Sequence, residues 1–90
     1  MSHHPEQRPN LAFEELEGLN EVVVIDHDAS RCVSLNLTAA AVLELCDGSR
    51  DSAAIADELA DAFADVDRAR IRMDVDAILQ QLREYHLLIR

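Results

Sequence analysis

Residues 21–36 read EVVVIDHDASRCVSLN, two strand-like runs on either side of a turn. Val22, Val23, Val24 and Ile25 are four β-branched residues in a row between polar ends, the composition of a strand rather than a helix. His27, Asp28, Ala29 and Ser30 supply turn chemistry. From Arg31 to Asn36 the chain alternates, with Val33 and Leu35 on one face and Cys32 and Ser34 on the other. Two such runs joined by four turn residues predict a β-hairpin. On its N-terminal side, LAFEELEGL at residues 11–19 alternates weakly before Gly18 and reads as a further short strand.

On the C-terminal side the period changes from two to about 3.6. TAAAVLELC at residues 38–46 predicts a short helix with Val42, Leu43 and Cys46 on one stripe. Asn36 or Thr38 can accept from its first free N–H groups, and Asp47-Gly48 stops it. Asp51 caps a second helix over residues 52–63, with Ile55, Leu59 and Phe63 at i, i+4 and i+8 and Ala56 and Ala60 permitting close approach. Asp67 caps a third over residues 68–84, opened by a Val66/Ile71 staple. Its stripe is Ile71, Val75, Ile78, Leu79 and Leu82. Residues 86–90, HLLIR, are apolar enough to dock, whereas residues 1–10, MSHHPEQRPN, read as a flexible lead-in. Residues 11–90 therefore predict one α+β domain, winged-helix-like, with a short antiparallel sheet of two to three strands followed by three helices.

Composition narrows the function. The chain has 90 residues, 18 Asp plus Glu against 8 basic residues, all of them Arg, and a net charge of −10. That length supports one modest core, with about 60–65% of the unfolded surface buried, and little room for a deep pocket. Acids in such excess argue against nucleic acid and against an anionic membrane surface. No apolar run nears the roughly 20 residues of a membrane span, and no signal peptide is visible, so the expected location is the cytoplasm. Cys32 and Cys46 fit reduced thiols there. No CxxC or Cys/His spacing occurs, His3-His4 is a weak pair, and no metal or cofactor is expected.

No candidate nucleophile sits in an activating motif. Ser34, Ser52 and both cysteines lack a GxSxG or Cys/His setting. His27 belongs to a turn, and His86 to a helix end where it interacts with the dipole. Acid pairs such as Asp74/Asp76, Asp57/Asp61 and Glu14/Glu15 read as solvated faces, and two glycines cannot build a phosphate loop. The chain reads as a non-enzyme. Acyl and peptidyl carrier proteins present their prosthetic-group serine after an Asp at a helix start, which makes Ser52 an alternative site. Ala53 stands where they usually carry Leu, and they lack a hairpin. A protein–protein oligomerisation module is a further alternative. The physical asset left is a sheet edge, which can accept an extended peptide or a second copy of the chain, so a homodimer is also expected.

The order and spacing of several elements resemble the PqqD-like family, whose namesake is the pyrroloquinoline quinone biosynthesis protein D. The elements are Leu35, Asn36, Thr38 and Ala39 at the entry to the first helix, and the Asp47-Gly48 stop. Ile55, Ala56 and Leu59 match in the second helix, and Asp74, Val75, Leu79 and Leu82 in the third. The resemblance covers roughly residues 20–89. It departs in having no Trp, and in His86 where a Gly commonly precedes the terminal Leu pair. The resemblance implies three strands and three helices and a recognition element for ribosomally made, post-translationally modified peptides. It implies a non-catalytic chaperone that holds a precursor's leader as an added strand between the third strand and third helix. The leader is then presented to a modifying enzyme, often a radical S-adenosylmethionine enzyme. Carried over residue by residue, the pairing strand is Arg31, Cys32, Val33, Ser34 and Leu35, and the helical wall is drawn from Val75, Ile78, Leu79 and Leu82. Arg31, Arg72 and Arg83 are candidates for acidic leader residues, Asp74 and Asp76 for basic ones.

Overall fold

The computed structural model describes residues 3–63 and 65–90. The chain runs β1 (Leu11–Leu16), β2 (Glu21–Asp26), β3 (Arg31–Asn36), α1 (Leu37–Leu45), α2 (Ser52–Ala62) and α3 (Arg68–Glu84). The expected third strand is present, and the sheet is an antiparallel meander in the order β1-β2-β3. Its register opposes Val24 to Phe13 on one side and to Val33 on the other, and Val22 to Leu35. The alternating pattern therefore sends Val22, Val24 and Leu35 inward as one buried row. They meet Ala39, Val42 and Leu43 of α1, Ile55 and Leu59 of α2, and Val75, Leu79 and Leu82 of α3 in a single core.

Each helix begins on the side chain that can accept its free N–H groups. Asn36 accepts from Ala39 at 2.8 Å, Asp51 from Ala54 at 2.9 Å and Asp67 from Ala69 at 3.1 Å. Asn36, rather than Thr38, is thus the first cap, and α1 starts one residue earlier than expected. Two apolar residues expected to pack stay in solvent. α2 ends at Ala62, so Phe63, as its C-cap, leaves the helical stripe and remains 45% exposed. Val66 is exposed as well, and only the Ile71 half of the expected staple is buried.

α3 closes with a Schellman motif. The Leu87 N–H donates to the Leu82 carbonyl and the His86 N–H to the Arg83 carbonyl, both at 3.0 Å. Leu82 and Leu87, the apolar pair of that motif, are fully buried. His86 occupies its left-handed position at φ 58°, which explains why this is a place suited to glycine.

The lead-in is more tightly held than expected. Pro5 is buried, and the N–H groups of Glu6, Gln7 and Arg8 donate to the carbonyls of Arg90, Cys46 and Leu87. Ile89 N–H returns to Glu6, and Gly48 N–H to Pro5. Residues 5–8 thus satisfy main-chain groups that the end of α1 and the C-terminal tail would otherwise leave without partners. Met1 and Ser2 lie outside the described residues.

Candidate functional site: an open strand edge beside α3

The helices are arranged around α1. α1 approaches β2 and β3 on one side and α2 and α3 on the other, yet no Cα of α3 comes within 8 Å of a Cα of β3. β3 and α3 thus flank a gap whose floor is α1. Among the described residues β3 pairs with β2 only, so one of its borders is vacant. In an antiparallel strand alternate residues turn both N–H and C=O outward. A further strand on this border would lie about 4.8 Å from β3.

β1 also has a vacant border, but a different one. No helix approaches β1, and Glu14 and Glu15 stand exposed along it with Glu17 just beyond. Charge of this kind blunts an edge against pairing. β3 carries Ser34 and Cys32 outward, Val33 and Leu35 inward, and one charge, Arg31, at its start. Ser34 hydroxyl donates to Glu21 across the outer face at 3.2 Å, and Cys32 is an exposed free thiol.

The residues expected to form the helical wall divide. Val75, Leu79 and Leu82 are 1%, 3% and 0% exposed and belong to the core. Ile78 is half-buried and packs against that core while keeping surface. The reason is that α3 must cover both α1 and α2, which takes three of the four residues. Leu79 further borders a separate cleft of about 470 Å³ with Arg72, Asp76, Arg83 and the start of α2. The α3 face that remains holds Ile78, Gln81 and Tyr85 at i, i+3 and i+7. A shallow hollow lies there, lined by Ala77, Ile78, Gln80, Gln81 and Glu84. Arg72, Arg83, Asp74 and Asp76 are exposed, and Asp74 is 3.9 Å from Arg70.

One residue has a contact that no local pattern reveals. Arg31 opens β3, and its guanidinium donates to the main-chain carbonyl of Tyr85, 54 residues away at the end of α3. Its Nε lies 3.9 Å from Asp26, the one buried charged residue among those described. Asp26 accepts from the N–H groups of Asp28 and Ala29 at 3.1 Å, holding the β2–β3 turn, and also faces Arg8 at 3.5 Å.

Cys46 and Ser52, two of the candidate nucleophiles, sit in structural settings. Cys46 is buried, its thiol donates to the Val42 carbonyl at 3.1 Å, and burial pushes its pKa up to about 12, far from a reactive thiolate. Ser52 occupies the first position of α2 beside its Asp51 cap, and the three-stranded sheet differs from an all-helical carrier protein. Among the described residues no group of His, Cys, Asp or Glu is placed to hold a metal ion, and no helix is long and apolar enough to cross a membrane.

Comparisons with known proteins agree with this architecture. Residues 21–88 match the model of the family described as Coenzyme PQQ synthesis protein D (PqqD). A PqqA binding protein of Rhodopseudomonas palustris (strain TIE-1) is 52% identical over 46 residues, which are 51% of this chain and 44% of that protein. The match therefore spans less than half of that relative. A solution structure of the PqqD truncation of Methylobacterium extorquens PqqCD, described as a stand-alone recognition element for ribosomally synthesised and post-translationally modified peptides, is 29% identical. It superposes with a TM-score of 0.75 over 96% of this chain and 88% of that one. At 20% identity, a lasso peptide synthetase B1 complexed with its leader peptide shares the fold, with a TM-score of 0.71 over 97% of this chain and 99% of the other.

Proposed function

This chain belongs to the PqqD family, and from that premise we propose that it binds the leader of a ribosomally synthesised precursor peptide as a fourth strand on β3. The observation that carries the reading is the vacant border of β3, facing α3 across a gap floored by α1. Main-chain groups of Arg31, Cys32, Val33, Ser34 and Leu35 supply the pairing, and apolar leader side chains settle against Ile78 and its neighbours on α3. The names of the relatives, one a PqqA binding protein and one a peptide recognition element, support a peptide of this class.

The protein then acts without catalysis, in the cytoplasm, by presenting the bound precursor to a modifying enzyme such as a radical S-adenosylmethionine enzyme. The interface is small, below about 1,200 Å² in total, which belongs to the transient class. Affinity is about micromolar, near −8 kcal/mol, and suits a carrier that must release its cargo. Without peptide, the same border can pair with a second copy of the chain, giving a homodimer that peptide dissociates.

Titration of fluorescein-labelled PqqA from Rhodopseudomonas palustris, followed by anisotropy and by amide chemical shifts, tests the reading. Saturable binding with shifts concentrated on residues 31–35 and on Ile78, Gln81 and Tyr85 is expected. Saturable binding with shifts confined to β1, or to the cleft at the start of α2, overturns it. So does failure of PqqA, and of any short precursor encoded beside this gene, to bind at 100-fold above the expected dissociation constant.

A further inference from the structure

We propose that Arg31 is a positioning residue, a strut that fixes the width of the gap between β3 and α3, with buried Asp26 as its anchor. The proposal rests on the peptide-binding reading for its consequence, but not for its geometry.

The geometry has three parts. First, no Cα of β3 comes within 8 Å of a Cα of α3, so the two elements share the core through side chains such as Leu35, Val75 and Leu82 while their backbones stay apart. Second, among the described residues one hydrogen bond crosses this gap, from the Arg31 guanidinium to the Tyr85 carbonyl. Third, Arg31 is not a loose surface side chain. It is half-buried, and its Nε sits 3.9 Å from a carboxylate that is 1% exposed and tied to its own turn by two N–H groups. Asp26 cannot move without breaking the β2–β3 turn, so it locates one side of the guanidinium. The Tyr85 carbonyl locates the other.

The chemistry suits Arg and no other side chain. A guanidinium offers donors in a rigid plane, so it can face a carboxylate with one edge and a carbonyl with another. Tyr85 is the C-cap of α3, where helix carbonyls carry partial negative charge and lack intrahelical donors. A cation there stabilises the helix end as well as holding it in place. Arg8, the second cation on Asp26, compensates the same carboxylate, but among the described residues its guanidinium has no hydrogen bond or ion pair to α3, which separates charge balance from bracing.

The bracing has a consequence for binding. An inserted strand needs β3 on one side at hydrogen-bonding distance and an apolar surface on the other. A gap held at fixed width offers both before the peptide arrives, and less ordering is then lost on association.

The test uses three variants, Arg31→Met, Arg31→Lys and Arg8→Met, and two readouts. Arg31→Lys retains a charge for Asp26 but its single ammonium cannot face Asp26 and the Tyr85 carbonyl from two separated donors as the guanidinium does, so it remains informative where Arg31→Met is too unstable. The first readout needs no peptide. A nitroxide on the native exposed thiol of Cys32, with Cys46 buried and unreactive, broadens the amides of residues 78–87 according to their distance from β3. The strut predicts that this broadening changes in both Arg31 variants and not in Arg8→Met. The second readout is affinity for labelled PqqA, expected to weaken about tenfold in both Arg31 variants, the scale of one lost charge-assisted hydrogen bond, and less than twofold in Arg8→Met. Unchanged broadening in both Arg31 variants overturns the strut whether or not peptide binds. Changed broadening with unchanged affinity also overturns it as a positioning residue, and leaves strand addition on β3 intact. If neither PqqA nor any short precursor encoded beside this gene binds the parent protein, the peptide reading fails by itself, and the broadening still decides the geometry.

Discussion

A pair of proline substitutions on adjacent residues of β3 probes the vacant border with its own control. Val33 and Ser34 lie in the middle of the strand, opposite Val24 and Val23 of β2. Antiparallel geometry turns the N–H of one toward β2 and of the other outward. Proline on the β2-facing residue removes a ladder bond and leaves a β2 carbonyl unpaired, costing about 2–3 kcal/mol. At about 4–8 °C per kcal/mol for a domain of this size, Tm falls by about 10–20 °C. Proline on the outward-facing residue removes an N–H that only water was satisfying, so Tm stays within about 5 °C. That residue, however, is one that an incoming strand must pair. Loss of one main-chain bond, together with the ring projecting into the gap, weakens binding by at least about tenfold, or 1.4 kcal/mol. Thermal melts by circular dichroism and anisotropy with labelled PqqA measure both effects. The expected result is one variant that stays folded and loses binding. A folded variant of each kind that binds as the parent does, or binding lost only where Tm collapses, refutes the reasoning.

Other outcomes follow from individual residues. His86 holds a left-handed φ of 58°, so His86→Gly relieves strain and stabilises by about 1 kcal/mol, seen as a Tm higher by about 4–8 °C. Gly48 has φ 84°, a conformation strained for any L side chain, so Gly48→Ala costs about 1–2 kcal/mol in urea unfolding while the flexible Glu6 carboxylate, 2.6 Å from the new Cβ, swings aside. Thiol titration at pH 8 modifies Cys32 alone in the native state and both cysteines in denaturant, because Cys46 is buried and its thiol is raised from 9.0 to about 12. Since the folded state holds that proton more tightly than the unfolded chain, the stabilisation it contributes is complete below pH 9 and fades as pH rises from 9 toward 12, measurable as falling Tm that Cys46→Ala abolishes. Asp47 is held below its ordinary 3.8, chiefly by the Ser49 hydroxyl, so its carboxyl titration by NMR moves upward in Ser49→Ala.

The sheet and helices were legible because their signals are local. The β-branched run at residues 22–25, the alternation in β3 and the three capping residues Asn36, Asp51 and Asp67 act within a few positions of themselves. What escaped depends on the rest of the chain. The pinning of residues 5–8 needs partners at Cys46, Leu87 and Arg90, and nothing in MSHHPEQRPN announces them. The sorting of the α3 stripe into core and wall escaped for a related reason. Val75, Ile78, Leu79 and Leu82 are all apolar at helical spacing, and only the positions of α1 and α2 decide that Ile78 keeps surface. The His86 anomaly was visible as a residue out of place, and its meaning came with the Schellman motif. Arg31 was legible as a strand residue and invisible as a tie to Tyr85.

Amide hydrogen exchange on β3, with and without saturating PqqA, tests strand addition most directly. Strand addition predicts that alternate amides among residues 31–35 gain protection on binding, while amides between them, already paired with β2, change little, and β1 changes not at all. New protection along β1, or saturable binding that leaves every β3 amide exchanging as before, contradicts it.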